Sequence, residues 1–320
     1  MRIAGRAVNL TRKTRMGVII YPMDETQLPP PQWIAKPEDL ARLAADLQQY
    51  PQIAVDTESN SLYAYQERVC LIQFSTPQQD YLLDPLALHD LSILRPIFAN
   101  PDIEKIFHAA EYDLTCLKRD FDIVIHSLFD TMQAARILGK AAFGLGAVLE
   151  SEFGITLDKR YQRANWGLRP LPAPMLNYAR LDSHYLIALR ARQAADLQAA
   201  GRWELAREDF VRLSSVAPLS ENGHDPCLKM SGSHDLTPQQ LSVLKELCAY
   251  RDAQARRADR PPFKVLGNDM LIEIAQTCPA SHIDLIHLRN LPAKLRDRHG
   301  GDLLAAVRRG LKAPPTSRVH

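Results

Sequence analysis

Residues 53–76 read IAVDTESNSLYAYQERVCLIQFST, and the fold of the surrounding chain can be worked out from this stretch. An apolar run enters Asp56 and leaves through Glu58, a polar turn follows, and a second apolar run begins at Val69. The pattern predicts two antiparallel strands joined by a turn. Because strand residues two apart face the same side, Asp56 and Glu58 are expected to project together from a strand that otherwise reads as buried.

This pair of acids needs an explanation in terms of charge. Two ionised carboxylates held side by side repel each other, and removing each from water costs several kcal/mol unless positive charge compensates. A divalent cation such as Mg²⁺ or Mn²⁺ provides that compensation, since it prefers oxygen ligands. The alternative is a solvated polar strand end, which an isolated D-x-E pattern does not exclude.

The flanking segments predict an α/β fold. Helices are predicted over residues 38–49, 91–99, 110–119 and 131–138, and further strands over residues 80–84, 105–108 and 127–130. Hairpins followed by β-α units indicate a mixed sheet with helices packed on it. Residues 155–173 read as a loop, and one long helix is predicted from Pro174 to Ala200.

Composition divides the rest of the chain into smaller segments. Residues 1–35 are interpreted as an N-terminal extension, expected to be disordered; their basic start leaves an organelle presequence as the alternative. Residues 213–234 are rich in Ser, Gly, Pro and Asp and read as a linker. Thr237 and Gln240 have the capping-box spacing that begins a helix, so residues 235–313 are predicted to form a small all-helical domain, with residues 314–320 as a tail.

The overall composition, with 46% hydrophobic residues among 320, is that of a globular protein. The five cysteines are scattered and show no Cys-x-x-Cys spacing, which argues against a disulfide framework or a thiolate zinc site and predicts a cytoplasmic location. No apolar run reaches the roughly 18 residues of a membrane span, so no membrane contact is expected. The formal charge is +2, with the positive surplus in residues 201–320.

Two further acids change the interpretation of Asp56 and Glu58. Asp113 falls on the first turns of the helix that follows His108, and Asp182 lies four residues after Tyr178, on the same helix face. The series D-x-E, H-x-x-x-x-D and Y-x-x-x-D resembles the three exonuclease motifs of the DEDD superfamily, in its tyrosine-containing branch. WGLRPL (166–171) resembles ribonuclease D in particular, and PPFKVL (261–266) resembles the HRDC domain.

The resemblance implies a ribonuclease H-like fold for residues 36–212 and hydrolysis of RNA from its 3′ end, releasing nucleoside 5′-monophosphates, with two metal ions, Mg²⁺ or Mn²⁺. The acids would bind the metal ions and the tyrosine would orient the attacking water: Asp56, Glu58, Asp113, Asp182 and Tyr178. Candidates for substrate contact are His108, Trp166 and Arg169. For these three the alternatives are a structural histidine and a solvated loop with the tryptophan packed beneath it.

The implied partner is RNA, with transfer RNA precursors expected from the resemblance, and the protein is predicted to be a monomer. Two other functions stay open. A DNA exonuclease would use the same fold and metal ions, because the contacts to a 2′-hydroxyl that decide between the sugars cannot be located in a sequence. A nucleic-acid-binding adaptor would use the fold without chemistry, although four intact acids count against it.

Overall fold

The structure, a computed structural model, describes residues 28–88, 90–215 and 226–316. The strands of the larger domain are β1 Gln32–Ile34, β2 Gln52–Ser59, β3 Val69–Ser75, β4 Asp80–Leu83, β5 Glu104–Phe107 and β6 Leu128–Asp130. They form one sheet in the order β1-β4-β3-β2-β5-β6. The strand β2 lies inside this sheet, antiparallel to β3 and parallel to β5, as the opening stretch predicts for the hairpin.

Helices cover both faces of the sheet. They are α1 Pro37–Leu47, α2 Arg95–Ala99, α3 Glu111–Phe121, α4 Thr131–Ile137, α5 Leu145–Phe153, α6 Ala173–His184, α7 Leu186–Ala199 and α8 Trp203–Ser214. Ile53 and Val55 of β2 pack in the core that α1, α2 and α3 cover. Ala54, which faces the other way, packs in the core under α4 to α8. The mixed sheet with flanking helices is therefore confirmed.

Two expectations for this domain are wrong. Leu28 is buried, and β1 pairs in parallel with β4, so the part of the extension from residue 28 onward belongs to the fold; residues 1–27, with the presequence alternative, lie outside the described residues. The long helix is two helices, α6 and α7, which meet at Tyr185. Since both helices bury an apolar stripe and no Gly or Pro marks the junction, the periodicity continues across the break.

The C-terminal domain is all-helical within the described residues. Its helices are α9 Pro238–Ala258, α10 Pro262–Val265, α11 Asn268–Thr277, α12 His282–Ile286 and α13 Ala293–Lys312. The predicted capping box is present at the start of α9, where Gln240 N donates to Thr237 Oγ1 and Thr237 N donates to Gln240 Oε1. A Cβ at Gly310 would lie 2.4 Å from Val243 Cα, so α9 and α13 cross at a glycine.

The segment before α9 corrects two further expectations. Cys227 and Met230, placed in the linker by composition, are buried in the core of the C-terminal domain; residues 216–225 of that linker lie outside the described residues. Cys227 forms a disulfide with Cys248 of α9, so the expectation of no disulfide is wrong. The sequence does not indicate this bond, because 21 residues separate the two cysteines and no motif marks them. Within the described part of the chain, no helix is long and apolar enough to cross a membrane.

Candidate active site

Three of the predicted acids converge at the sheet. One carboxylate oxygen from each of Asp56, Glu58 and Asp182 lies within 4.8 Å of the other two. Strand β2 supplies the first two and α6 the third. The parallel pairing of β2 with β5 ends at Ala54 and Ile106, so the acidic end of β2 extends beyond its neighbour.

Asp113 lies beside this group rather than in it. It is buried in the first turn of α3, and its carboxylate accepts a hydrogen bond from the Thr57 hydroxyl. Its charge raises the pKa of both Asp56 and Glu58, so it acts on them electrostatically. The structure thus brings three of the four predicted acids close together. The fourth, Asp113, is hydrogen-bonded to strand β2 through Thr57.

Burial dominates the electrostatics of the acids. Burial first, then repulsion from the neighbouring acids, raises the pKa of Asp56 and of Glu58 well above the usual values. Burial likewise raises the pKa of Asp113 and of Asp182 from 3.8 to about 7. A set of close, buried carboxylate oxygens whose charges repel is suited to a hard divalent cation, so the residues present fit such an ion.

Tyr178 stands next to the acids. Its hydroxyl is hydrogen-bonded to Asp182, and burial together with the charges of Asp182, Glu58 and Asp56 raises the pKa of the phenol above its usual 10. The ring packs on Trp166 and Tyr161, with centroid distances of 6.0 and 5.8 Å. A cleft of about 310 Å³ opens in front of it. The phenol therefore stays protonated at neutral pH and is held in one orientation.

The structure gives His108 and Asp130 structural roles. His108 Nδ1 is 2.8 Å from Thr131 Oγ1, and burial lowers the pKa of the imidazole to about 4, so the structural alternative holds for this histidine. Asp130 caps α4 by accepting from the backbone N–H groups of Met132 and Gln133.

Trp166 and Arg169 are corrected as substrate contacts. Trp166 is 1% exposed and packs in the core beneath Tyr178, so its ring is not available to stack on a base. Arg169 forms a bidentate ion pair with Asp84 and donates to the carbonyl oxygens of three residues: Cys70, Trp166 and Leu168. All five of its N–H donors are used, so it fixes the loop and has none left for a phosphate.

Two polar residues of the opening stretch were not singled out from the sequence. Thr57 holds Asp113, and Gln73 is fully buried on β3 directly opposite Asp56. A glutamine in the middle of an otherwise apolar run was the available signal, by the same reasoning that applies to Asp56 and Glu58.

Comparison with known proteins agrees with this arrangement. A profile described as a 3′-5′ exonuclease matches residues 31–197, just over half of the chain. The chain belongs to the 3′-5′ exonuclease family. An HRDC domain profile matches residues 240–307, so the helical domain that follows the exonuclease domain also has the relatives expected from its sequence.

Relatives of this chain include RRP6 proteins. "Protein RRP6-like 2" of Arabidopsis thaliana is 31% identical over 91% of this chain and 35% of its own length. "Exosome complex exonuclease RRP6" of Saccharomyces cerevisiae is 32% identical over 81% of this chain and 38% of its own length. The chain therefore spans less than half of the length of these relatives.

Solved structures share the fold over both domains. The catalytic core of RRP6 from Trypanosoma brucei has a TM-score of 0.72 at 30% identity, covering 88% of this chain and 80% of its own. RNase D from Escherichia coli has a TM-score of 0.66 at 29% identity, covering 89% and 76%. The resemblance to ribonuclease D is thus confirmed at the level of a family that also contains RRP6.

Proposed function

We propose that this chain is a metal-dependent 3′-5′ exoribonuclease that hydrolyses the phosphodiester bonds of RNA from the 3′ end and releases nucleoside 5′-monophosphates. One observation carries the proposal: in a member of the 3′-5′ exonuclease family, Asp56, Glu58 and Asp182 converge within 4.8 Å beside a protonated tyrosine. The acids are intact, which counts against an adaptor without chemistry.

Each residue has a role that follows from its geometry. Asp56, Glu58 and Asp182 would hold two divalent ions, Mg²⁺ or Mn²⁺, and Asp113 completes the acidic set. When bound, the ions supply charge for the attacking and leaving oxygens of the displacement. Tyr178 stays protonated because of its raised pKa, so it orients a water or a phosphate oxygen by hydrogen bonding and does not accept the proton.

A basic cleft in the HRDC domain supports a polyanionic substrate. Four cationic side chains line this cleft of about 470 Å³, and none forms an ion pair with a described residue: Arg257, Arg260, Lys264 and Arg298. Unpaired cations around a polar cleft suit phosphate groups, for which binding depends largely on charge. We propose that the cleft contacts the RNA backbone outside the active site.

Contacts between the domains place this cleft close to the active-site hairpin. The amine of Lys264 lies 4.4 Å from the centroid of the Tyr63 ring, and the Tyr65 hydroxyl donates to Asp252 Oδ1 at 2.7 Å. Tyr63 and Tyr65 lie in the loop that joins β2 to β3. An RNA strand on the cleft would therefore run near the loop that follows Glu58.

The test uses purified protein and RNA labelled at its 5′ end. We expect a ladder of products shortened from the 3′ end with Mg²⁺ or Mn²⁺, and at least a 100-fold slower reaction for Asp56→Asn and Asp182→Asn. Asp102→Asn, which changes an exposed carboxylate before β5, is the control and should leave the rate unchanged. Activity that persists in both site variants would contradict the proposal, and a matched DNA oligonucleotide tests the alternative substrate.

Finer assignments extend this proposal. RNase D of Escherichia coli is described as an exoribonuclease involved in structured RNA processing, which supports structured RNA precursors, with transfer RNA precursors as the first to be assayed. We keep the monomer and the cytoplasmic location as predictions. Several relatives are named exosome components, so light scattering of the purified chain tests the monomer, and fractionation of cells tests the location.

A further inference from the structure

The side chain of Gln73 is unexplained by packing alone. It is 0% exposed, and both its amide nitrogen and its amide oxygen lack a hydrogen-bond partner among the described residues. A buried polar group without a partner destabilises the fold, whereas an apolar side chain of the same shape would not. A glutamine kept under these conditions suggests a partner that becomes available in another state of the site.

The position of Gln73 indicates what that partner is. Gln73 pairs with Asp56 in the antiparallel ladder of β2 and β3. Side chains directly opposite each other project from the same face, with Cβ atoms about 4.5–5.5 Å apart. Gln73 therefore lies beside Asp56, with no hydrogen bond between the two side chains in the structure, on the face of the sheet where Glu58 and Asp182 also meet.

The other polar residue on this face of β3 provides a contrast. Ser75 Oγ donates to Asp80 Oδ1 at 2.7 Å and lies 2.8 Å from Ser183 Oγ. Ser75 is thus paired with groups that hold α6 on the sheet, and Gln73, two residues away, is the one that faces the acids.

We propose that Gln73 is a positioning residue: when a divalent ion is bound by the acids, its Nε2 donates a hydrogen bond to the Asp56 carboxylate and fixes the orientation of the oxygen that Asp56 presents to the ion. A neutral amide can do this without cancelling the negative charge that the ion requires. Carboxylates that bind metal ions are commonly held by such outer hydrogen bonds, and loss of one typically weakens metal affinity 10- to 100-fold. This inference rests on the proposed function, because it assumes that the acids bind a metal ion.

The test compares Gln73→Met with wild type by calorimetric titration of the metal-free protein, containing both domains, with Mn²⁺. Methionine keeps the shape and removes both polar atoms. We expect the dissociation constant to rise 10- to 100-fold while the melting temperature of the metal-free protein is unchanged or higher. A role in packing alone predicts a changed melting temperature with an unchanged dissociation constant, and that result would overturn the proposal.

Gln193→Met is the matched control. Gln193 is another buried glutamine, on α7, and its Nε2 donates to the Thr131 carbonyl at 2.9 Å. Its replacement should lower the melting temperature, because a hydrogen bond is lost, and leave the dissociation constant for Mn²⁺ unchanged.

A second measurement needs no variant. In the NMR spectrum of the wild-type protein, the side-chain amide protons of Gln73 should shift downfield when Mg²⁺ is added, and those of Gln193 should not move. Absence of any shift at Gln73 on saturation overturns the proposal. If wild type takes up no metal ion at all, the proposed function fails together with this inference; if wild type and Gln73→Met bind equally, only this inference fails.

Discussion

At Asp56, burial and charge oppose each other. The carboxylate lies in the sheet, where burial and three neighbouring acids raise its pKa, so in the absence of metal its ionised form is unfavourable. The same proximity gives a divalent ion its ligands. Buried acids such as Asp56 therefore lower the stability of the metal-free fold while they provide the metal ligands. The stability cost can be measured.

The stability of metal-free protein should depend on pH in a defined window. Asp113 and Asp182 have a pKa of about 7 in the folded state against 3.8 ordinarily, so between these values the folded state holds protons that the unfolded state has released. The free energy of unfolding should therefore fall as the pH rises from about 4 to about 7. Urea denaturation at a series of pH values measures this.

Two controls accompany the pH series. Asp182→Asn should flatten the fall, because the amide does not titrate, and Mn²⁺ should restore stability to wild type at pH 7. An equally steep fall in the variant would show that other groups cause it.

Tyr178→Phe separates orientation from metal binding. We expect the turnover of RNA to fall about 100-fold or more, since the hydroxyl that orients the reacting groups is lost. Because the phenol also holds the Asp182 carboxylate, turnover is compared at saturating Mn²⁺, where a change in metal affinity does not contribute. The control is Tyr81→Phe, which removes a β4 hydroxyl that donates to Asp46 of α1. Equal losses of turnover in both variants would contradict the role of Tyr178 in orienting the reacting groups.

At the scale of elements, the loop between α5 and α6 packs against Tyr178 of the active site. Trp166 packs under Tyr178, and Arg169 joins the loop to Asp84 and to the backbone of β3. The loop contains no helix or strand, and these side chains hold it against the sheet before α6 begins. Arg169 in this loop is therefore structural, although the positive charge of the loop sequence suggests contact with a nucleic acid.

Arg169→Met tests this reading of the loop. We expect a loss of about 3 kcal/mol in the free energy of unfolding, because Asp84 is left buried without its ion pair. The dependence of RNA affinity on salt concentration should be unchanged, since Arg169 contacts no phosphate. Urea denaturation and binding titrations at several salt concentrations measure the two effects. A shallower salt dependence would restore Arg169 as an RNA contact.

How much could be predicted from the sequence differs between elements. Strands β2 and β3 follow closely from the sequence, because their apolar runs and the polar turn between them are local signals. The acids and Tyr178 were found by motif spacing. The break at Tyr185, the strand β1 and the buried position of Trp166 depend on contacts with distant parts of the chain. No local pattern encodes those contacts.

At the scale of the whole molecule, the two domains present different charges. The exonuclease domain carries the acids, and the HRDC domain carries a cleft lined by unpaired cations. An RNA that reaches both would have its backbone neutralised at one end and its 3′ terminus cleaved at the other. The dependence of RNA affinity on salt concentration can test whether the cleft binds the RNA backbone.

The double variant Arg257→Gln and Arg298→Gln should bind single-stranded RNA more weakly at low salt. The slope of log affinity against log salt should fall by about 0.7 for each phosphate contact removed. Cleavage at saturating RNA should be unchanged, because neither residue pairs with one of the acids. Arg42→Gln and Arg207→Gln, on α1 and α8, form the control; an identical slope in both double variants would exclude the cleft.

Tyr65, in the loop between β2 and β3, contacts the HRDC domain, and these contacts should constrain how the two domains evolve. Its backbone N–H donates to Asp259 and its hydroxyl to Asp252, while Arg256 lies over its ring. A substitution on either side removes contacts of the other. Among descendants of a common ancestor, the position of Tyr65 should therefore change in step with those of Asp252 and Arg256, so that the HRDC domain of one lineage would not be freely exchangeable for that of another.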